Sequence, residues 1–270
     1  MKKMSLLHKI SYGALFMALT IILSRFFALP YFFGLPFLKV SLAPSVVIFS
    51  SFYLGPVFGA IVGFGSDLLG SLMFPQGGPY LPLYGIPATL AGLLPVLIYK
   101  VLKMSKIDNK LPISTGVILL ALDIFVVLFM SLNDSINYNG REYVFHDWIK
   151  ISVITCFIAL SIIFFIGLFL IKKYFKNGKV NKLYNIFAIA GAIYIMDFVF
   201  KIPISSAIGA FHFSYEFFII FGVKILTGFI SILIHIIIVL IALNIASAVS
   251  LRRGVLLESK QAKEEDHEKK

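Results

Sequence analysis

Apolar residues in this chain come in long unbroken runs, and the short segments between the runs hold most of the charge. A helix needs about 20 consecutive apolar residues to cross a bilayer. Eight spans are predicted, at roughly 8–29, 41–55, 56–74, 81–104, 111–132, 147–172, 182–204 and 214–250. The second is short and abuts Pro56, which predicts a broken or tilted segment. The eighth is long enough to bend or to extend past the membrane. The closing "ESKQAKEEDHEKK" has no apolar stripe. It reads as a solvated, partly disordered tail over 252–270, following a transmembrane domain over 1–251.

Composition makes the medium explicit. Hydrophobic residues are 59% of the chain and charged ones 14%, against about 25% charged in soluble domains. In lipid every backbone N–H and C=O must be satisfied internally, so only helices or a closed barrel can span it. Continuous rather than alternating runs select an all-α polytopic membrane protein of about eight helices. The opening "MKKMSLLHKISYGALFMALTIIL" starts with positive charge as a signal peptide would. It has no clear small-x-small cleavage site and reads as a retained first helix.

With the N-terminus cytoplasmic, eighteen of the 24 Lys and Arg fall on the inner side, in clusters at 2–9, 100–110, 172–182 and 252–270. An even number of spans with both termini cytoplasmic, in a bacterial cytoplasmic membrane, therefore satisfies the positive-inside rule. The net charge of +11 reflects this loop bias and gives no reason to invoke nucleic acid. Cys156 is the only cysteine, which excludes a disulfide within the chain and any zinc spacing built on cysteines.

Two neighbouring stretches carry the candidate chemistry. In "GPVFGAIVGFGSDLLGSLMF", Gly55, Gly59 and Gly63 recur every four residues, a pattern that lets another helix approach closely. At about 100° per residue, Gly63, Asp67 and Gly70 share one helix face. Asp67 is therefore expected on the packed side. It either supports a binding site or braces the helix end through hydrogen bonds, since a mid-membrane carboxylate costs about 2.5–3.5 kcal/mol on insertion scales. The following "PQGGPYLPLYGIPA" combines four prolines with Gly77, Gly78 and Gly85, so a rigid outer connection is expected, with Tyr80 and Tyr84 projecting from it. These tyrosines suit either an interfacial belt or the wall of a recess.

Four cations, Arg25, Lys39, Lys201 and Lys224, fall in outer halves or outer loops. Lys39 and Lys201 read singly as helix-end anchors, and Arg25 as a headgroup contact or a cation for a ligand. Lys224 is about ten residues into the eighth span and needs a partner, either an anionic ligand or Asp197 or Glu216. His235 reads as a hydrogen-bonded core residue. The five histidines are scattered without metal-ligand spacing, so no cofactor or metal is expected. No G-x-x-x-x-G-K-[ST] occurs, so active transport would need an external source of energy. A self-sufficient secondary transporter and, further off, an intramembrane enzyme remain the competing classes.

Ala14-x-x-x-Ala18 in the first span, "LAPSVVIFSSFYLGPVFGAIVGFGSDLLGSL" and "FPQGGPYLPLYGIPATLAGLLPVLIY" together resemble the substrate-binding S components of energy-coupling factor (ECF) vitamin importers, the folate type most of all. The shared features are Gly55-Pro56-x-x-Gly59, Asp67-Leu68-Leu69-Gly70 and the Pro/Gly/Tyr loop. The resemblance implies a non-enzymatic, high-affinity binder of folate or another small anionic vitamin. Its expected partners are a transmembrane coupling subunit and two ATPases, with Ala14 and Ala18 as the docking strip. It implies ligand contacts from Arg25, Asp67, Gly77, Gly78, Tyr80, Tyr84 and Lys224. Such proteins usually have six helices, so residues 105–181 read as an inserted helix pair. Phe221-Gly-Val-Lys224 keeps only the lysine of an Arg-x-x-Lys-like pair, and Leu83-Tyr84-Gly85-Ile86 stands where the folate type tends to have Pro-Gly-Phe-Thr.

Overall fold

The computed structural model describes residues 5–27, 41–74, 81–104, 111–138, 141–174, 186–213 and 217–268. Among them the helices are α1 (Leu6–Arg25), α2 (Ala43–Leu54), α3 (Pro56–Met73), α4 (Gly85–Met104), α5 (Leu111–Leu132), α6 (Asp147–Tyr174), α7 (Ile186–Ile195), α8 (Ile202–Phe213) and α9 (Phe217–Glu268). A 3-10 turn, Pro82–Tyr84, leads into α4, and a π-helical turn, Met196–Lys201, joins α7 to α8. Six segments are long and apolar enough to cross a membrane: Leu6–Arg25, Pro56–Met73, Pro82–Lys103, Asp147–Gly167, Ile186–Phe211 and Ile220–Val249. Ala43–Leu54 and Gly116–Leu132 are shorter apolar helices. The chain is an all-α polytopic membrane protein, with one small exception among the described residues. A two-stranded antiparallel hairpin, β1 (Ser135–Tyr138) and β2 (Arg141–Val144), pairs Ser135 with Val144 between α5 and α6.

Local chemistry explains the helix ends. The Ser5 Oγ caps α1 by accepting the His8 backbone N–H. Gly55, at φ 105°, terminates α2, and Pro56 opens α3 at a position where no helical N–H is needed. The predicted break before Pro56 is thus a sharp turn between two packed helices. Gly55 acts only there: a Cβ on it would meet nothing within 4 Å. That corrects the expectation that it belongs to the packing stripe.

The stripe itself is real one turn later. A Cβ on Gly59 would stand 2.3 Å from the Gly92 carbonyl oxygen, and one on Gly63 would stand 2.2 Å from that of Ala88. Gly59 and Gly63 of α3 therefore face Ala88 and Gly92 of α4 with their backbones in contact. Helix α1 runs parallel to α3. Lys9 Nζ is 5.5 Å from the Phe58 ring centre at one end, and Arg25 Nη2 donates to Ser71 Oγ at 2.9 Å at the other.

Helix α7 is the axis of the bundle, buried along nearly its whole length, with Phe187 and Tyr194 among the largest fully enclosed side chains. It packs against α4, α5 and α9, while α2 packs on α9. The hydrophobic segment continues through α8 to Phe213, beyond the predicted end at 204. Helix α9 continues to Glu268, so the backbone is helical where a partly disordered tail was expected. Its Glu- and Lys-rich end has the composition of a strong helix former.

Helix α2 has 12 residues, a length of about 18 Å at 1.5 Å per residue. Its start is fixed in depth by His235, whose Nε2 lies 2.9 Å from the Ser41 carbonyl oxygen. His235 is near the midpoint of the Ile220–Val249 span. The first turn of α2 is therefore level with the middle of that apolar span.

Candidate functional site

Two groups of polar side chains are built into the half of the bundle that holds the start of α2. The first joins α1 to α3. Arg25 closes α1, its guanidinium lies over Gly70, and it bonds Ser71. A Cβ on Gly70 would come 3.4 Å from both Nε and Nη2, so the glycine makes room for the cation. Asp67 is half-buried on α3, between the buried Gly63 and Gly70. Arg25 is likewise half-buried, with its Nη2 bound to a protein hydroxyl.

The second group surrounds α8. Lys224 Nζ donates to the Ser205 carbonyl oxygen at 2.6 Å. One turn further along α8, a Cβ on Gly209 would lie 3.7 Å from the Tyr84 hydroxyl, which brings the 3-10 turn against this helix. Tyr84 is half-buried. Gly77, Gly78 and Tyr80, with Lys39 and Glu216, lie outside the described residues. Ala14 and Ala18 are exposed on α1, whereas Gly13 beside them is buried toward Val62 and Phe58 of α3.

Below these groups is a charged cluster that the sequence reading did not assemble. Asp197, 1% exposed, is 2.9 Å from Lys201 Nζ and 3.9 Å from His235 Nδ1. It was expected as a candidate partner of Lys224. Instead it faces Lys201, four residues along the π-helical turn, and Lys224 rests on a carbonyl. Lys201 was read as a helix-end anchor because the seventh span was ended too soon. With the segment running to Phe213, Lys201 falls in its middle. An acid and a base four residues apart within an apolar run were the available signal. His235 is a hydrogen-bonded core residue, as read. The bond to Ser41 requires Nε2 to carry a proton, which leaves Nδ1 turned toward the carboxylate.

A further polar contact ties the α5–α6 pair together. Ser161 Oγ donates to Asp123 Oδ1 at 2.9 Å. On the hairpin side, Lys150 Nζ lies 2.5 Å from Asp134 Oδ1, and this ammonium holds the exposed carboxyl below its ordinary range. Among the described residues, no group of three or more His, Cys, Asp and Glu is placed to hold a metal ion.

Residues 4–176 match a family described as ECF-type riboflavin transporter, S component. The matched range runs from α1 through α6; Asp197, Lys201, Lys224 and His235 lie beyond it. No curated protein and no solved structure matches the chain. A match across nearly two thirds of the 270 residues, on a bundle of apolar helices, makes this protein a member of the ECF-type riboflavin transporter S-component family.

Proposed function

We propose that this chain is the vitamin-capturing subunit of an ECF importer, with a binding recess that opens outward above the first turn of α2. Membership of the S-component family carries the reading. The arrangement of the bundle supports it: a 12-residue α2 starts at mid-depth, while Arg25, Asp67, Tyr84 and Lys224 stand on the taller elements around it. Both termini are cytoplasmic in this reading, and the chain relies on a coupling subunit and two ATPases for energy. Ala14 and Ala18 form the docking strip, since both are exposed on a helix whose opposite face is committed to α3. Helices α5 and α6 act as an added pair on the α1–α4 and α7–α9 core. They pack mainly on each other, α7 and α9, although the family match includes them.

Riboflavin is the vitamin in the matched family's description. A folate-like anionic vitamin is the second reading, and Lys224 favours it: its ammonium is held by a carbonyl dipole within the membrane. Either ligand brings a flat ring that Tyr84 can meet face-on. Arg25 and Lys224 would meet polar or anionic groups, with Gly77, Gly78 and Tyr80 forming one rim.

Mass spectrometry of small molecules that co-purify with the detergent-solubilised chain tests this directly. Recovery of one vitamin, unaltered and stoichiometric, is the expected result. Conversion of added vitamin would point to an enzyme. Accumulation of substrate in vesicles under an ion gradient, with no ATPase present, would point to a secondary transporter.

A further inference from the structure

Helix α2 is held unequally at its two ends. Near Gly55, a Cβ on Gly59 would stand 2.7 Å from the Ser51 Cα, so the last turn is wedged on the backbone of α3. The first turn has no such support. Leu42 offers no side-chain cap, and Pro44 has no N–H to give. The Ala43 N–H reaches the Ser41 Oγ at 3.3 Å, and the Ser45 N–H reaches the Leu42 carbonyl oxygen at 3.0 Å. The side chains buried here, Ala43 and Ser45, are small and add little apolar burial. The Ser45 hydroxyl, 1% exposed, has no hydrogen-bond partner among the described residues. Among those residues, one hydrogen bond ties this turn to another element: His235 Nε2 donates to the Ser41 carbonyl oxygen at 2.9 Å. The other ring nitrogen, Nδ1, is 3.9 Å from Asp197 Oδ2, outside hydrogen-bond range, and Asp197 is engaged by Lys201 at 2.9 Å. The imidazole's bond to Ser41 is thus its only one among the described residues.

We propose that the first turn of α2 is a movable end and that His235 is its catch. With the bond made, Ser41 is held level with the middle of the α9 span. With the bond broken, the turn moves away from α9 while residues 51–54 stay wedged. Resting on the vitamin-binding reading above, this turn is the floor on which cargo lies, so the catch governs how long the cargo stays. His235 touches no ligand in this scheme; it is a positioning residue that acts through Ser41.

Spin labels on Leu42→Cys and Val57→Cys test this, in the full-length chain carrying Cys156→Ser and placed in lipid nanodiscs. They report the distance from the first turn of α2 to the exposed Val57 at the start of α3. Two substitutions of like polarity separate the bond from the packing. His235→Gln keeps an N–H donor at the ε position, within reach of Ser41. His235→Asn keeps one only at the δ position, which faces Asp197. The label pair gives one narrow distance with His235 and with His235→Gln. His235→Asn populates a second, displaced distance about fivefold more, the factor set by one hydrogen bond of ordinary strength. Narrow distributions in both variants, or equal broadening in both, overturn the catch, as does a broad distribution with His235 in place. If His235→Asn does not fold, His235→Leu, which has no donor, takes its place with the same expected broadening. Bound riboflavin leaves the Asn variant about fivefold faster than the wild type and leaves the Gln variant at the wild-type rate; equal rates in all three sever the catch from the cargo. A wild-type chain that retains neither riboflavin nor folate defeats the vitamin-binding reading. The distance measurement, made without ligand, still decides the catch.

Discussion

Gly59 is a position where one added carbon has a large, calculable effect. Its Cβ would lie 2.3 Å from the Gly92 carbonyl oxygen and 2.7 Å from the Ser51 Cα, both backbone atoms that cannot rotate away. Ordinary contact begins near 3.4 Å, so α3 must part from α4 and α2 by about 1 Å. A gap of about that size forfeits a quarter to a half of the dispersion energy of each contact along the crossing. Overpacking of this kind costs about 3 kcal/mol, the upper part of its usual range, because no side chain can yield. Alanine returns about 1 kcal/mol through its better helix propensity, so Gly59→Ala is expected to lose about 2 kcal/mol net. Gly167→Ala in α6 is the control. A Cβ there meets nothing within 4 Å, and only the propensity gain applies. The two variants then differ by about 3 kcal/mol, which for a chain of this size separates their melting temperatures by about 6 °C or more. Dye-monitored thermal unfolding in detergent measures the gap. Coincident melting curves would refute the backbone contact between α3 and α4.

Three further outcomes are expected. Removing the Lys150 partner of Asp134 should change stability only where that carboxylate is ionised. Its folded pKa is depressed from 3.8, so the contribution is present above the unfolded value and is lost as pH falls through the folded one. Wild-type and Lys150→Met melting temperatures should differ by a constant amount at neutral pH and converge below pH 3.8. Ser161→Ala removes the hydroxyl bound to Asp123 and should cost about 0.6–1.7 kcal/mol, the range for interhelical polar contacts in membranes. Hydrogen exchange in α5 and α6 should rise while α1–α4 keep their protection; uniform change across the bundle would contradict the local role. Ala14→Trp should leave vitamin binding intact and reduce co-purification with the coupling subunit, and full retention of the complex would remove α1 as the docking face.

The residues that could be read correctly in advance were those whose role depends on spacing along one helix. Gly59 and Gly63 lie on a single regular helix, so an angular count placed them on its packed face without knowledge of the partner. The partner, the Ala88–Gly92 strip of α4, comes from a different run, and a single-helix count cannot choose it. Gly55 repeated the period but belonged to a turn, because Pro56 restarts the helix there. Lys201 was misjudged through a boundary error of nine residues, from 204 to Phe213, which turned a mid-span cation into a helix-end anchor. The π-helical turn adds a second difficulty: it changes the angle per residue, so the faces of α7 and α8 cannot be counted through it. The β1–β2 hairpin carried a readable signal, Asn139-Gly140 between polar and β-prone residues. Beside eight long apolar runs so short a signal carries little weight.

The short α2 has a consequence for the distance cargo must travel. In the proposed orientation, with the turn at Gly55 cytoplasmic, its 12 residues leave about 18 Å of helix between Ser41 and that turn, against a hydrocarbon thickness of about 30 Å. A solute resting on that first turn has already crossed a large fraction of the oily layer, without any moving part having worked. The powered step then has to carry it only through the remaining depth.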